Sequence, residues 1–188
     1  MANTKWNDSC PLDNIQAGSI YYSAEEFIPD GSAGASFTDD WGVDGVNQMN
    51  VLYFNGAADA IAYLNLVVPR DYSGDATLRL YWVTAQSGIT TTAVVWAGTA
   101  RAVAQGDLIN LQYSATLGAT LTEIEEMCPS VGTSIDYSDL DLTKADAIYI
   151  QAGDYLQIEV SRNVSRDGNT TRVNLLGGEF RYTRGGRY

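Results

Sequence analysis

Aspartate clusters are the groups in this sequence whose spacing comes closest to known chemistry. Asp39, Asp40 and Asp44-Gly45 lie in one loop, and the D-x-x-x-D-G spacing resembles half of an EF-hand loop. The complete calcium-binding pattern is absent. Aspartates that cap the backbone of their own turn are therefore favoured over metal ligands. The sequence predicts no cofactor, and Ca²⁺ is the one ion for which weak candidate ligands exist.

A second aspartate group, which has the same two interpretations, consists of Asp136, Asp139, Asp141 and Asp146. Catalysis by paired carboxylates has only compositional candidates, Glu25-Glu26 and Glu125-Glu126. Adjacent acids in a strand point to opposite faces, so neither pair is a natural glycosidase dyad. The 188 residues contain no histidine, which excludes Ser-His-Asp and Cys-His catalysis and imidazole metal ligands. We expect no enzymatic activity.

Aromatic residues offer a different chemistry, because the chain has 12 Tyr and 4 Trp. Exposed rings could stack on sugars. The favoured interpretation instead places Trp82 and Trp96 in the core and Tyr63 and Tyr81 on a subunit interface, where tyrosine is enriched.

The formal charge of −12 is unevenly distributed along the chain. Residues 1–150 carry 19 acids and 5 bases, whereas residues 151–188 carry 4 acids and 6 bases. These six are Arg162, Arg166, Arg172, Arg181, Arg184 and Arg187. They form either a solvated strand face or a basic patch that docks on an acidic patch of another copy. The acidic body disfavours nucleic acid as a partner.

The start of the chain and its two cysteines indicate the compartment. Residues 1–20 lack a basic start and an apolar segment, so we expect no signal peptide and synthesis in a cytoplasm. No apolar run is long enough to predict a membrane span. Cys10 and Cys128 have no CxxC neighbour. They are unrelated thiols or a disulfide, and cytoplasmic synthesis argues against the disulfide.

Alternation of apolar and polar residues predicts eight or nine strands and no amphipathic helix. Leu78, Leu80 and Trp82 should face inward, with Arg79 and Tyr81 outward. The expected fold is all-β, an antiparallel β-sandwich of the jelly-roll kind. Residues 29–46 are expected to form a loop, and a bulge is expected at Gly98. Gly177-Gly178 indicates a bulge or close packing.

We expect three segments along the chain. An N-terminal arm, residues 1–17, has Trp6 as its apolar anchor, and the sandwich domain spans residues 18–184. The C-terminal tail is residues 185–188. The RYTRGGRY end, residues 181–188, is either a frayed end or an arm in which Arg184 and Arg187 pair with carboxylates of a neighbour and Tyr188 acts as an anchor.

Two blocks of the sequence, residues 64–107 and 152–184, carry recurring motifs. They contain VPRDYSG, LRLYW, VVW, AGDYLQIEVSRN and LLGGEFRYT in this order. The blocks resemble β-sandwich proteins of tailed phages and uncultured viruses, which are regarded as structural, decoration or tail-appendage proteins. The resemblance implies an assembly role and supplies no catalytic residues.

The sequence therefore favours a self-assembling structural protein of a virion or a filamentous assembly. Its expected partners are copies of itself, with other virion proteins as further candidates. The expected location is the virion or an extracellular assembly. The expected interface residues are Trp6, Tyr63, Tyr81, Arg181, Arg184, Arg187 and Tyr188. The alternative is a carbohydrate-binding β-sandwich module at a virion or cell surface.

Overall fold

Twelve β-strands make up most of the described structure, which is a computed structural model. It describes residues 16–31, 34–41, 49–84, 93–104, 119–121, 123–127, 134–143, 149–168 and 171–185. The strands are β1 Gln16–Ser23, β2 Phe27–Pro29, β3 Ser36–Trp41, β4 Met49–Phe54, β5 Ala60–Val67, β6 Tyr72–Thr84, β7 Ala93–Val103, β8 Ala119–Thr120, β9 Ile124–Met127, β10 Asp136–Asp141, β11 Tyr155–Arg162 and β12 Val173–Arg184. A short 3₁₀ turn, Ala24–Glu26, joins β1 to β2.

The strands form two antiparallel sheets, each of six strands. Sheet A has the order β10-β6-β12-β4-β3, and β1 pairs with the second half of β12. Sheet B has the order β2-β5-β11-β7-β8, and β9 pairs with β7. From β4 to β7, and again from β10 to β12, consecutive strands belong to alternate sheets. This arrangement confirms the predicted β-sandwich.

Alternating side chains form the core between the sheets. In β6, Leu78, Leu80 and Trp82 are fully buried, as predicted, and the same holds for Leu156, Ile158 and Val160 in β11. Trp82 and Trp96 lie in the core with ring centroids 6.4 Å apart. The Trp82 Nε1 group donates to the buried Ser138 Oγ at 2.9 Å, so this indole loses no hydrogen bond on burial.

Arg162 continues the inward alternation of β11 and is completely buried. Its Nε donates to Asp167 at 2.5 Å, and its Nη1 donates to the Thr171 carbonyl at 2.6 Å. Nη1 also lies within hydrogen-bond distance of the Phe54 and Asn55 carbonyls. The guanidinium thus ties the end of β4 to the turn between β11 and β12. The prediction that Arg162 belongs to a surface patch is wrong.

The structure differs from the sequence predictions in one loop and at Gly98, and it confirms one bulge. β3 lies inside residues 29–46, which the sequence predicted as a loop. Gly98 keeps an unbroken register with β11, so no bulge occurs there between these two strands. A Cβ at Gly98 would lie 2.2 Å from the Glu159 carbonyl oxygen, and close backbone approach explains that glycine. The bulge predicted at Gly177 is confirmed, because the β12–β6 register shifts between Leu175 and Gly177.

Gln16 and Ala17, predicted as part of the arm, belong to β1. Most of the arm, including Trp6 and Cys10, lies outside the described residues, as does Cys128. None of the helical structure in the described ranges has the length and hydropathy of a membrane-spanning segment.

Replacing Arg162 should test how strongly its bonds hold the sandwich together. Arg162→Ala leaves Asp167 buried without its cation, so we expect the free energy of unfolding to fall by about 3–5 kcal/mol. Urea denaturation followed by tryptophan fluorescence measures this change. Arg172→Ala, which removes an exposed arginine, is the control and should change stability by less than about 0.5 kcal/mol. Equal denaturation midpoints for the two variants would contradict the assignment.

Candidate functional site

The outer face of sheet A brings charged and aromatic side chains from four strands into one row. The register pairs Asp139 of β10 with Arg79 of β6, Arg79 with Glu179 of β12, and Glu179 with Tyr21 of β1. Residues paired across antiparallel strands share one face. The row is therefore continuous from one edge of the sheet to the other.

Arg79 and Asp139 form the charged centre of this row. Arg79 Nε and Nη2 donate to the two Asp139 carboxylate oxygens at 2.7 Å each, a bidentate geometry. The guanidinium carbon of Arg79 also lies 3.9 Å from the centroid of the Tyr137 ring. The carboxylate of Asp139 raises the pKa of Arg79. Arg79 is therefore a permanent cation held in one orientation.

Tyr81 and Glu179 form a second pair beside the first. The Tyr81 hydroxyl donates to Glu179 Oε2 at 2.8 Å. This hydrogen bond lowers the pKa of Glu179, and nearby Arg181 and Arg79 act in the same direction. Burial raises the pKa of Tyr81, and the same hydrogen bond to Glu179 adds to the increase.

Tyr21 reaches this group across β12. Its ring centroid lies 6.2 Å from that of Tyr81, and its hydroxyl donates to the Leu176 carbonyl at 3.2 Å. A Cβ at Gly177 would lie 2.4 Å from the Tyr21 hydroxyl oxygen. The absence of a side chain at Gly177 is what lets Tyr21 lie over β12.

We call this group the tyrosine face. Its members are Tyr21, Tyr81, Tyr137, Arg79, Asp139 and Glu179. Tyr21 is 58% exposed and Tyr137 is 49% exposed, so both rings are accessible to a ligand. The face combines accessible rings with hydrogen-bonding groups whose positions are fixed by their neighbours, which suits it for binding.

The two carboxylates of the tyrosine face are poor candidates for acid–base catalysis. Asp139 and Glu179 lie two strands apart, with backbones separated by roughly 10 Å, close to the spacing in an inverting glycosidase. A general acid needs a raised pKa, whereas the pKa of Glu179 is lowered. Both carboxylate oxygens of Asp139 already accept hydrogen bonds from Nε and Nη2 of Arg79.

The predicted interface residues are distributed over different surfaces. Tyr81 and Arg181 share the outer face of sheet A, and Arg181 lowers the pKa of Glu179 there. Tyr63 lies on the outer face of sheet B, where its hydroxyl donates to Asp30 at 3.4 Å. Arg184 Nε pairs with Asp71 within the same chain at 2.7 Å. Trp6, Arg187 and Tyr188 lie outside the described residues.

The arginines of the C-terminal region do not form one basic patch in the described part of the chain. Arg172 and Arg184 lie at opposite ends of β12, about 40 Å apart for an extended strand. Arg166 pairs with Glu123, and Arg162 is buried.

The calcium candidates receive no support from the described residues. Asp44 lies outside them, and the side chains of Asp39 and Asp40 on β3 are likewise not described. In the described ranges no group of three or more Cys, Asp or Glu side chains could hold a metal ion. Asp141 Oδ1 accepts from the Thr143 amide at 2.9 Å, which is the turn-capping role predicted as the alternative to metal binding.

The predicted carboxylate pair Glu25-Glu26 has a structural role. It lies in the 3₁₀ turn, not in a strand. Glu26 accepts from the Ser23 amide at 2.6 Å, and Glu25 accepts from the Asn50 side chain. Both acids therefore hold β1 and β4 at this corner of the sandwich.

Sequence reasoning missed Tyr21, Tyr137 and Glu179 as site residues. The alternation in β6 correctly placed Arg79 and Tyr81 outward, which gave two of the six residues of the face. The rest depends on which strands are neighbours and in which register. Tyr21 and Leu176, for example, are 155 residues apart in the chain.

Comparisons with known proteins identify the fold. No protein-family model matches the sequence, and no curated protein matches it. The chain is similar to isomalto-dextranase of Arthrobacter globiformis T6, solved in complex with panose, with a TM-score of 0.53 and 18% identity. That similarity covers 87% of this chain but only 23% of the enzyme's chain. It shows a shared β-sandwich fold.

Two carbohydrate-binding modules are also similar over nearly their whole length. The family 35 module from Clostridium thermocellum has a TM-score of 0.47 and 15% identity, covering 87% of this chain and 97% of that one. The family 35 module of Abf62 from Cellvibrio japonicus has a TM-score of 0.47 and 11% identity, covering 91% of this chain and all of that one, 100%.

The lowered pKa of Glu179 predicts a pH-dependent contribution to stability. A carboxyl group with a lowered pKa in the folded protein stabilises it above the unfolded pKa, and this effect is lost as the pH falls through the folded value. We expect Glu179→Gln to reduce the free energy of unfolding by about 1 kcal/mol at pH 7. The difference from wild type should shrink as the pH falls below about 4.

Urea denaturation at a series of pH values measures this effect. Glu125→Gln removes an exposed carboxylate and is the control, with an expected change below about 0.5 kcal/mol. A Glu179→Gln penalty that is constant from neutral to acid pH would contradict the role of the ionised carboxylate.

Proposed function

We propose that this chain is a non-catalytic carbohydrate-binding module and that the tyrosine face is its binding surface. The observation that carries the proposal is the arrangement of Tyr137, Tyr81 and Tyr21 across four strands. They lie beside the bidentate pair of Arg79 and Asp139. This function is the alternative that the sequence left open.

The chemistry of the face matches that of a sugar. A pyranose ring has apolar C–H groups on its faces and hydroxyl groups around its edge. Accessible tyrosine rings offer flat apolar surfaces to the C–H groups. Carboxylates accept hydroxyl hydrogens and guanidinium groups donate to hydroxyl oxygens, so Asp139, Glu179 and Arg79 can bind the edge of the sugar.

Preorganisation also favours binding by this face. Tyr81 is bonded to Glu179, Arg79 to Asp139, and Tyr21 to the Leu176 carbonyl. All of these side chains arise from strands, not from loops. A ligand therefore has little side-chain entropy to remove when it binds, and this cost commonly limits affinity.

Self-assembly, the main prediction from the sequence, is the second candidate and uses the opposite face of the sandwich. On the outer face of sheet B, Val67 is 62% exposed and Ile28 is 55% exposed. Arg101 and Glu159 lie on the same face, and neither forms a salt bridge with another described residue. A second copy, docked through the same face, would cover the apolar side chains and supply both opposite charges.

The role as a virion, tail or tube subunit depends on this second surface and stays a prediction. It requires copies of the chain to associate. Carbohydrate binding by the tyrosine face does not require association, because all six of its residues belong to one chain. The two functions can therefore be tested separately.

Removing the exposed rings should abolish glycan binding. We expect Tyr137→Ala and Tyr21→Ala each to weaken binding by at least about tenfold, which corresponds to 1.4 kcal/mol. Affinity gel electrophoresis against neutral and acidic polysaccharides identifies the ligand, and isothermal titration calorimetry measures its affinity. Tyr155→Ala is the control, because Tyr155 is 43% exposed on the other sheet. Retention of full affinity by both test variants would overturn the proposed site.

A charge on the sheet B face should disrupt any assembly. We expect the wild-type protein to elute as an oligomer in size-exclusion chromatography with light scattering, and Val67→Lys to shift it toward the monomer. Ile135→Lys is a matched control, since Ile135 is also 62% exposed. A wild-type monomer at all concentrations would exclude this second candidate.

A further inference from the structure

The three tyrosines of the tyrosine face define a direction across the strands. Tyr137 pairs with Tyr81 in the β10–β6 register. Tyr81 pairs with Gly177 of β12, and Tyr21 crosses that glycine to bring its ring 6.2 Å from that of Tyr81. The aromatic path therefore runs from β10 to β1, perpendicular to the strands.

The length of this path sets the size of its ligand. Tyr137 lies one strand spacing, about 5 Å, from Tyr81, and the Tyr21 ring lies 6.2 Å from the Tyr81 ring on the other side. The two exposed rings are thus roughly 11 Å apart. A pyranose unit is about as long as one strand spacing, so about three units are needed to touch both exposed rings.

The path continues to a sheet edge at both ends. Within the described residues, β10 pairs only with β6, and β1 pairs only with β12. A sugar chain lying on Tyr137 and Tyr21 therefore meets no further described strand beyond either ring. A site of this shape selects the interior of a polymer over its terminal unit.

The charges of the face favour a neutral polymer. Arg79 is matched by Asp139, and the acid Glu179 lies next to Arg181. The described face therefore offers little uncompensated positive charge, and the whole chain carries a formal charge of −12. An anionic polysaccharide would be repelled.

We propose that the tyrosine face binds an internal segment of about three units of an extended, neutral polysaccharide, with Tyr137 and Tyr21 at the two ends of the segment. This inference rests on the proposed function. It adds the minimum ligand length, the preference for chain interiors and the exclusion of anionic polymers.

Affinity as a function of oligosaccharide length tests the inference. The probes are ladders of two to eight units of β-1,4-linked gluco-, manno-, galacto- and xylo-oligosaccharides and of α-1,6-linked gluco-oligosaccharides, titrated calorimetrically into the full chain. For the series that binds, we expect the Kd to fall by at least about tenfold between two and three units and then to level off. Polygalacturonate and hyaluronan should not bind.

Two variants locate the ends of the segment. With a six-unit ligand, Tyr137→Ala and Tyr21→Ala should each weaken binding, and both should abolish the gain between two and three units. Tyr155→Ala should keep the wild-type length dependence. Circular dichroism of each variant shows whether the fold is retained.

The outcomes separate this inference from the proposal beneath it. Disaccharides that bind as tightly as hexasaccharides, or a preference for an anionic polymer, would overturn the extended neutral ligand and leave carbohydrate binding intact. A length dependence that survives both tyrosine variants would do the same. Failure of every ladder and polysaccharide to bind would overturn the proposed function itself.

Discussion

The glycine pair in β12 is the constraint on which both the core and the tyrosine face depend. A Cβ at Gly177 would meet the Tyr21 hydroxyl at 2.4 Å on the outer face. A Cβ at Gly178 would meet the Phe27 ring at 2.9 Å, and Phe27 is fully buried in the core. Adjacent positions thus leave space on opposite sides of one strand, and Tyr21 of β1 and Phe27 of β2 fill these two spaces.

This arrangement couples stability to the site. β12 connects three strands of sheet A. It pairs with β6 along its length, with β4 at its start and with β1 at its end. The side chains that hold β1 in place include Tyr21, which is also the end of the aromatic path. The face is therefore part of the packing of the sheet, which reduces the side-chain entropy that a ligand would remove on binding.

Strand alternation made much of the fold predictable from the sequence. It placed Leu78, Leu80 and Trp82 inside and Arg79 and Tyr81 outside, and the glycine pair indicated the bulge. The same alternation in β11 places Arg162 inside after Leu156, Ile158 and Val160, but its charge suggested a surface residue. Its burial is compensated by Asp167 and the Thr171 carbonyl in the turn that follows β11. The Phe54 and Asn55 carbonyls, which the sequence could not place beside Arg162, come from the distant end of β4. The tyrosine face itself depends on pairings over long sequence separations, such as Tyr81 with Glu179, which alternation alone does not determine.

The position of a bound glycan tests the central claim most directly. NMR spectra of protein with ¹³C-labelled tyrosine rings, titrated with a six-unit neutral oligosaccharide that binds, report on each ring separately. The account predicts shifts for Tyr21, Tyr81 and Tyr137, with Tyr149 and Tyr155, which are also exposed, unchanged. Shifts confined to Tyr63 and Tyr155 on the opposite sheet would contradict it.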